Sequence, residues 1–124
     1  MVVYEIAAGS VEKHKIAYEN TEDNSGLEGV LYNTHDGSIF ILNEKNPGLM
    51  MQLSSDFSII KSYNLSFASD YSGIWFKQNK NELWIVSDQK IKVNHCSISG
   101  SLVKSYSVNI NKTEGIVLTK DKIY

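Results

Sequence analysis

The sequence predicts an all-β chain built from four-stranded units of the kind that form propeller blades. Three observations predict it. No window carries apolar residues at helical spacing; the apolar runs are short and bounded by turn residues. One Pro, eight Gly and abundant Ser, Asn, Ile and Tyr favour strands joined by turns. A strand-turn-strand stretch also recurs, with Gly29, Gly73 and Gly115 in equivalent places, 44 and then 42 residues apart. That is the repeat length of a propeller blade.

Taken in order, with strands a to d running from the inside of a blade outward, the first unit begins at Glu28. Strand a is Glu28 to Tyr32, and Asn33-Thr34-His35-Asp36-Gly37 closes a hairpin with its Asp-Gly pair. Strand b, Ser38 to Leu42, is continuously apolar, which predicts burial on both faces. A loop through Pro47 leads to strand c at Leu49 to Leu53, and a polar turn leads to d at Ile59 to Leu65. The second unit repeats this order with a at Ser72 to Phe76, b at Leu83 to Val86, c at Ile91 to Cys96 and d at Leu102 to Val108. The ends of the two d strands, Ile60-Lys61-Ser62-Tyr63 and Val103-Lys104-Ser105-Tyr106, nearly match. A third unit opens at Glu114-Gly115-Ile116-Val117-Leu118.

Ahead of the first unit, Val2 to Ile6 reads as a c strand and Lys13 to Tyr18 as a d strand. The chain is thus a single partial propeller domain over residues 1–124: a half blade at 1–19, blades at 26–66 and 69–108, and the start of a blade at 113–124. That amounts to about three blades, whereas propellers close with ~4 to 8. The expectation is part of a six-bladed ring, completed by the missing blades of a longer chain or by a second copy as a homodimer.

Composition narrows the partners. All twelve basic residues are Lys and the net charge is −2. With no Arg to grip phosphate or guanine edges, nucleic-acid binding is not expected. No apolar run approaches the ~20 residues of a membrane span. The first residues, MVVYEIAAGSVEKHK, lack the basic and apolar regions of a signal peptide, so none is expected on the chain as given. Cys96 is the single cysteine, which leaves no intramolecular disulfide and predicts a small core residue.

The unit order also sorts the carboxylates. Because strands alternate in direction, the d-to-a and b-to-c loops share one face, and the a-to-b and c-to-d turns share the other. Glu28, Asp70 and Glu114 stand where a strands start, and Glu44 and Asp88 stand in b-to-c loops. All five therefore fall on one face near the channel mouth, with Glu19, Glu22 and Asp23 in a loop of the same kind. Converging carboxylates suit a hard cation such as Ca²⁺, which takes six to eight oxygens; without one they repel and raise each other's pKa. The competing role for such residues is to bond neighbouring backbone N–H groups in turns.

Other chemistry has less behind it. His14, His35 and His95 fall in a d strand, a turn of the opposite face and a c strand, which does not make a zinc site. No Ser lies in G-x-S-x-G, and Asn20 to Glu28 lacks the acidic spacing of an EF-hand. Trp75, Trp84, Phe40 and Phe76 read as blade-to-blade packing. The sequons at Asn64 and Asn111 are expected by chance in an Asn-rich chain. Lys13, Lys90, Lys92 and Lys104 read as a solvated outer edge.

At Gly26-Leu27-Glu28-Gly29-Val30, Asn43-Glu44-Lys45-Asn46-Pro47, Tyr71-Ser72-Gly73-Ile74, Val86-Ser87-Asp88 and Glu114-Gly115-Ile116 the chain resembles the SdiA-regulated family, relatives of the esterase-like phytase propellers. The resemblance runs from about Asn24 to Tyr124 and covers roughly half of a typical member. It implies a six-bladed propeller, mostly bacterial, commonly exported or membrane-anchored, with calcium bound in some members. The function expected is a noncatalytic module that binds calcium, a small polar ligand or a partner on its acidic channel face. The alternative is a calcium-assisted hydrolase of esters or phosphoesters, for which no general base or nucleophile stands out.

Overall fold

The computed structural model describes residues 1–18, 26–120 and 122–124. Glu19, Glu22, Asp23 and most of the Asn20–Glu28 stretch lie outside the described residues. Among the described residues, ten strands form three antiparallel sheets, with one 3₁₀ turn at Gln78–Lys80. β1 (Val2–Glu5) pairs with β2 (Ser10–Lys13). β3 (Leu27–Tyr32), β4 (Ile39–Asn43), β5 (Leu49–Leu53) and β6 (Ile59–Asn64) follow one another as the first four-stranded sheet. β7 (Gly73–Lys77), β8 (Glu82–Ser87), β9 (Lys92–Ser97) and β10 (Leu102–Ser107) make the second in the same order. The molecule is all-β, as the sequence predicts.

Register repeats with strand order. Leu31 faces Phe40 in the first sheet and Trp75 faces Trp84 in the second. At the outer strands, Lys61 lies 5.1 Å over the Tyr63 ring and Lys104 lies 4.9 Å over the Tyr106 ring. The shared Lys-Ser-Tyr sequence thus makes the same cation–π contact twice.

Alternation along the inner strands directs side chains into separate cores. Phe40, Leu42 and Met50 project from the first sheet onto Ile74, Phe76, Leu83, Ile85 and Cys96 of the second. The opposite face of β4 and β5 presents Ile41, Met51 and Leu53 to Ile16, with Met1 and Tyr18 beside them. The far face of the second sheet presents Trp84, Val86 and Val93 to Ile116 and Leu118. Each large side chain so buried contributes about 1.5–3 kcal/mol. β4 is apolar from Ile39 to Leu42 because it is covered on both sides. The four aromatic residues assigned to packing all belong to these clusters.

Two elements depart from the sequence reading. The second N-terminal strand is Ser10–Lys13, not Lys13 to Tyr18. Gly9, at φ +65°, donates its N–H to the Glu5 carbonyl and closes a tight hairpin, so the return strand begins at once. His14 therefore follows β2 instead of lying within a strand, and Ile16 packs beyond it. The expected a strand from Glu114 to Leu118 makes no extended ladder among the described residues; it joins Ile123 through one isolated bridge at Leu118.

Candidate functional site

The five carboxylates singled out in the sequence stand around one polar hollow of about 160 Å³. Glu28 comes from β3, Glu44 from the loop after β4, Asp70 from the connection before β7, Asp88 from the loop after β8, and Glu114 from the third unit. Ser72 and Gln89 complete the lining. No basic side chain is among these residues, so the hollow favours cations and hydrogen-bond donors.

The carboxylates have different duties. Asp70 is buried, and both of its oxygens accept hydrogen bonds from the protein. Ser87 Oγ donates to Oδ1 at 2.7 Å, and the backbone N–H groups of Asp88 and Gln89 donate to Oδ2 at 2.9 and 3.2 Å. This carboxylate ties the β6–β7 connection to the β8–β9 loop and so sets the floor of the site. Ser87 Oγ also accepts from the Lys90 N–H at 3.3 Å, extending the tie along the loop. Asp88 Oδ1 accepts the Thr113 N–H at 3.2 Å, which holds the third unit against the loop. Glu44 Oε1 lies 3.0 Å from Lys45 Nζ. Glu28 and Glu114 are exposed at the rim.

Sequence reasoning missed Ser72 and Gln89, although a signal for Ser72 was present. Ser72 precedes Gly73 as Glu28 precedes Gly29 and Glu114 precedes Gly115, so aligning the repeats places it at the rim. Its Oγ donates to the Thr113 carbonyl at 2.7 Å. Gln89 Oε1 accepts from Ser69 Oγ at 3.3 Å. Nothing in the residue type of Gln89 marked it; its position follows from the loop that Asp70 holds.

The arrangement encloses a cation less tightly than a dedicated calcium cage would. Among the described residues, no three His, Cys, Asp or Glu side chains come close enough to share a metal ion. Two of the available oxygens are already committed on Asp70, and one more on Asp88. The histidines take other parts. His35 lies 2.9 Å from the Gln78 carbonyl, His14 3.1 Å from a Glu12 oxygen, and His95 stacks on Trp84 at 4.9 Å. Cys96 is buried, and burial pushes its thiol pKa up to about 12. No helix among the described residues is long and apolar enough to cross a membrane.

The N-terminal hairpin, the first four-stranded sheet and the motifs around Glu28 and Glu44 fall within one comparison. The family model described as SdiA-regulated matches residues 3–69, more than half of the chain, taking in the N-terminal hairpin and the whole first blade. The chain belongs to the SdiA-regulated family.

Proposed function

We propose that this protein is a noncatalytic propeller module that binds a small cationic or polar ligand in the carboxylate-lined hollow, calcium being the first candidate. The single observation behind this reading is that five acidic side chains from two sheets and the following unit line one space with no lysine among them. Asp70 serves as scaffold, leaving Glu28, Glu114 and the second oxygen of Asp88 for the ligand, with Glu44 shared with Lys45. Because no three of these groups meet at bonding distance, calcium held here retains part of its water shell, a coordination that this ion tolerates.

Calorimetric titration of the protein with calcium at neutral pH checks this. Saturable heat is expected, reduced at least tenfold in affinity by Glu28→Gln combined with Glu114→Gln, about 1.4 kcal/mol or more. Absence of heat with calcium, and with a small protonated amine used as second probe, would sink the proposal. The hydrolase reading requires a base beside a hydroxyl or a bound water. The one hydroxyl of the lining, Ser72 Oγ, instead donates to the Thr113 carbonyl. Turnover of a chromogenic phosphoester that EDTA abolishes would favour the hydrolase instead.

A further inference from the structure

Two side chains on each a strand point back toward the preceding sheet. On β7 these are Ile74 and Phe76, packed with Phe40, Leu42 and Met50; in the third unit they are Ile116 and Leu118, packed with Trp84, Val86 and Val93. The same positions on β3 are Val30 and Tyr32. They are 64% and 58% exposed, against 8% and 4% for Ile74 and Phe76 and 7% and 8% for Ile116 and Leu118. Beside them lie two apolar hollows of about 450 and 330 Å³, lined in part by Met1, Val3, Ile16 and Ile41. β1, which borders these hollows, is paired on one side by β2 and carries no strand on its other edge among the described residues.

The molecule also shows what covers such a face. In the first two blades the next a strand packs against the a/b pair Leu31 and Phe40, and then against Trp75 and Trp84. In the third unit the corresponding pair is Val117 and Tyr124, whose backbones exchange N–H···O bonds of 3.0 and 2.8 Å. Both side chains are exposed. One uncovered acceptor pair and one unused donor pair therefore stand on the same chain, each of the kind that its two internal blade contacts join.

We propose that a second copy of this chain docks head to tail, placing its Val117 and Tyr124 on Val30 and Tyr32. The segment bearing Tyr124 then runs along the free edge of β1, as β4 runs along β5 and β8 along β9. Two such contacts, related by a two-fold axis, close a ring and cover an apolar patch and a strand edge that otherwise invite nonspecific pairing. This pairing borders the acidic hollow at Glu28 but is argued from the apolar contacts alone.

Light scattering on the purified chain is expected to give twice its 13.9 kDa mass. Val30→Asp, a change at an exposed position, is expected to restore the single-chain mass with unchanged circular dichroism. A mixture of Tyr32→Cys and Tyr124→Cys proteins is expected to form a covalent pair on oxidation that neither forms alone, the buried Cys96 remaining silent. A 13.9 kDa mass for the parent protein with native β circular dichroism would overturn the proposal. So would an open assembly of more than two chains, a Val30→Asp protein still paired, or a mixture that cross-links no better than its components.

Discussion

Asp70 shows how residue type and residue duty separate. In the sequence it is one of five acidic positions on a face, but in the fold its two oxygens take three protein hydrogen bonds in a buried setting. A hydrogen bond to a charged group is worth about 1.5–3 kcal/mol, and a buried donor left without a partner costs about 1–3 kcal/mol. Asp70→Ala is therefore expected to lower unfolding free energy by about 2–4 kcal/mol in urea titration, whereas Glu28→Gln at the exposed rim stays within about 0.5 kcal/mol. Cys96 gives a prediction of opposite character. Burial holds its thiol in the protonated form up to about pH 12, while the unfolded thiol ionises near its ordinary value of 9.0. The folded state thus binds more protons in this window, and stability is full below about pH 9 and declines as pH rises toward 12. Burial raises the Tyr71 hydroxyl pKa as well, with the same sign. Denaturation midpoints between pH 8 and 11 should fall less in Cys96→Ala than in the parent protein, and a thiol reagent should label native Cys96 only on unfolding.

Among the elements, the a strands carry the clearest sequence signal and the tightest geometry. Each carries a Gly after a polar residue near its start, and the structure gives a reason at Gly73. A Cβ there would stand 2.7 Å from the Glu114 carbonyl oxygen, a backbone atom of the third unit. Gly73→Ala is expected to cost about 1–3 kcal/mol by forcing that unit away, with a matching change in Trp75 and Trp84 fluorescence because Ile116 and Leu118 cover those rings. Strand positions in both whole blades were legible to within a residue or two, since apolar runs between turn residues have only one pairing that buries them. The N-terminal hairpin was not legible in the same way. Residues Lys13 to Tyr18 resemble a d strand by position, but the left-handed Gly9 shortens the turn, and the ladder ends at Lys13. Ile16 and Tyr18 are apolar because they pack as a loop against the first blade.

For the whole molecule, the repeat length and strand order place Glu28, Glu44, Asp70, Asp88 and Glu114 on one face, and these five line one hollow. Their common location follows from topology, because antiparallel strands in a fixed order return the same two kinds of loop to the same end. The division of labour among them follows from depth and contacts, which no one-dimensional pattern encodes. The same applies to Val30 and Tyr32: as residue types they match Ile74 and Phe76, and only the arrangement of sheets shows that they stay exposed among the described residues. By itself, then, the sequence determined the all-β repeat, the order of the strands and the face that gathers the acidic side chains, since these depend on periodicity and turn chemistry. The tertiary structure decided which carboxylate is bound by the protein's own N–H groups, which remain free at the rim, and which sheet face is left open, because each depends on what other elements bring within a few ångströms.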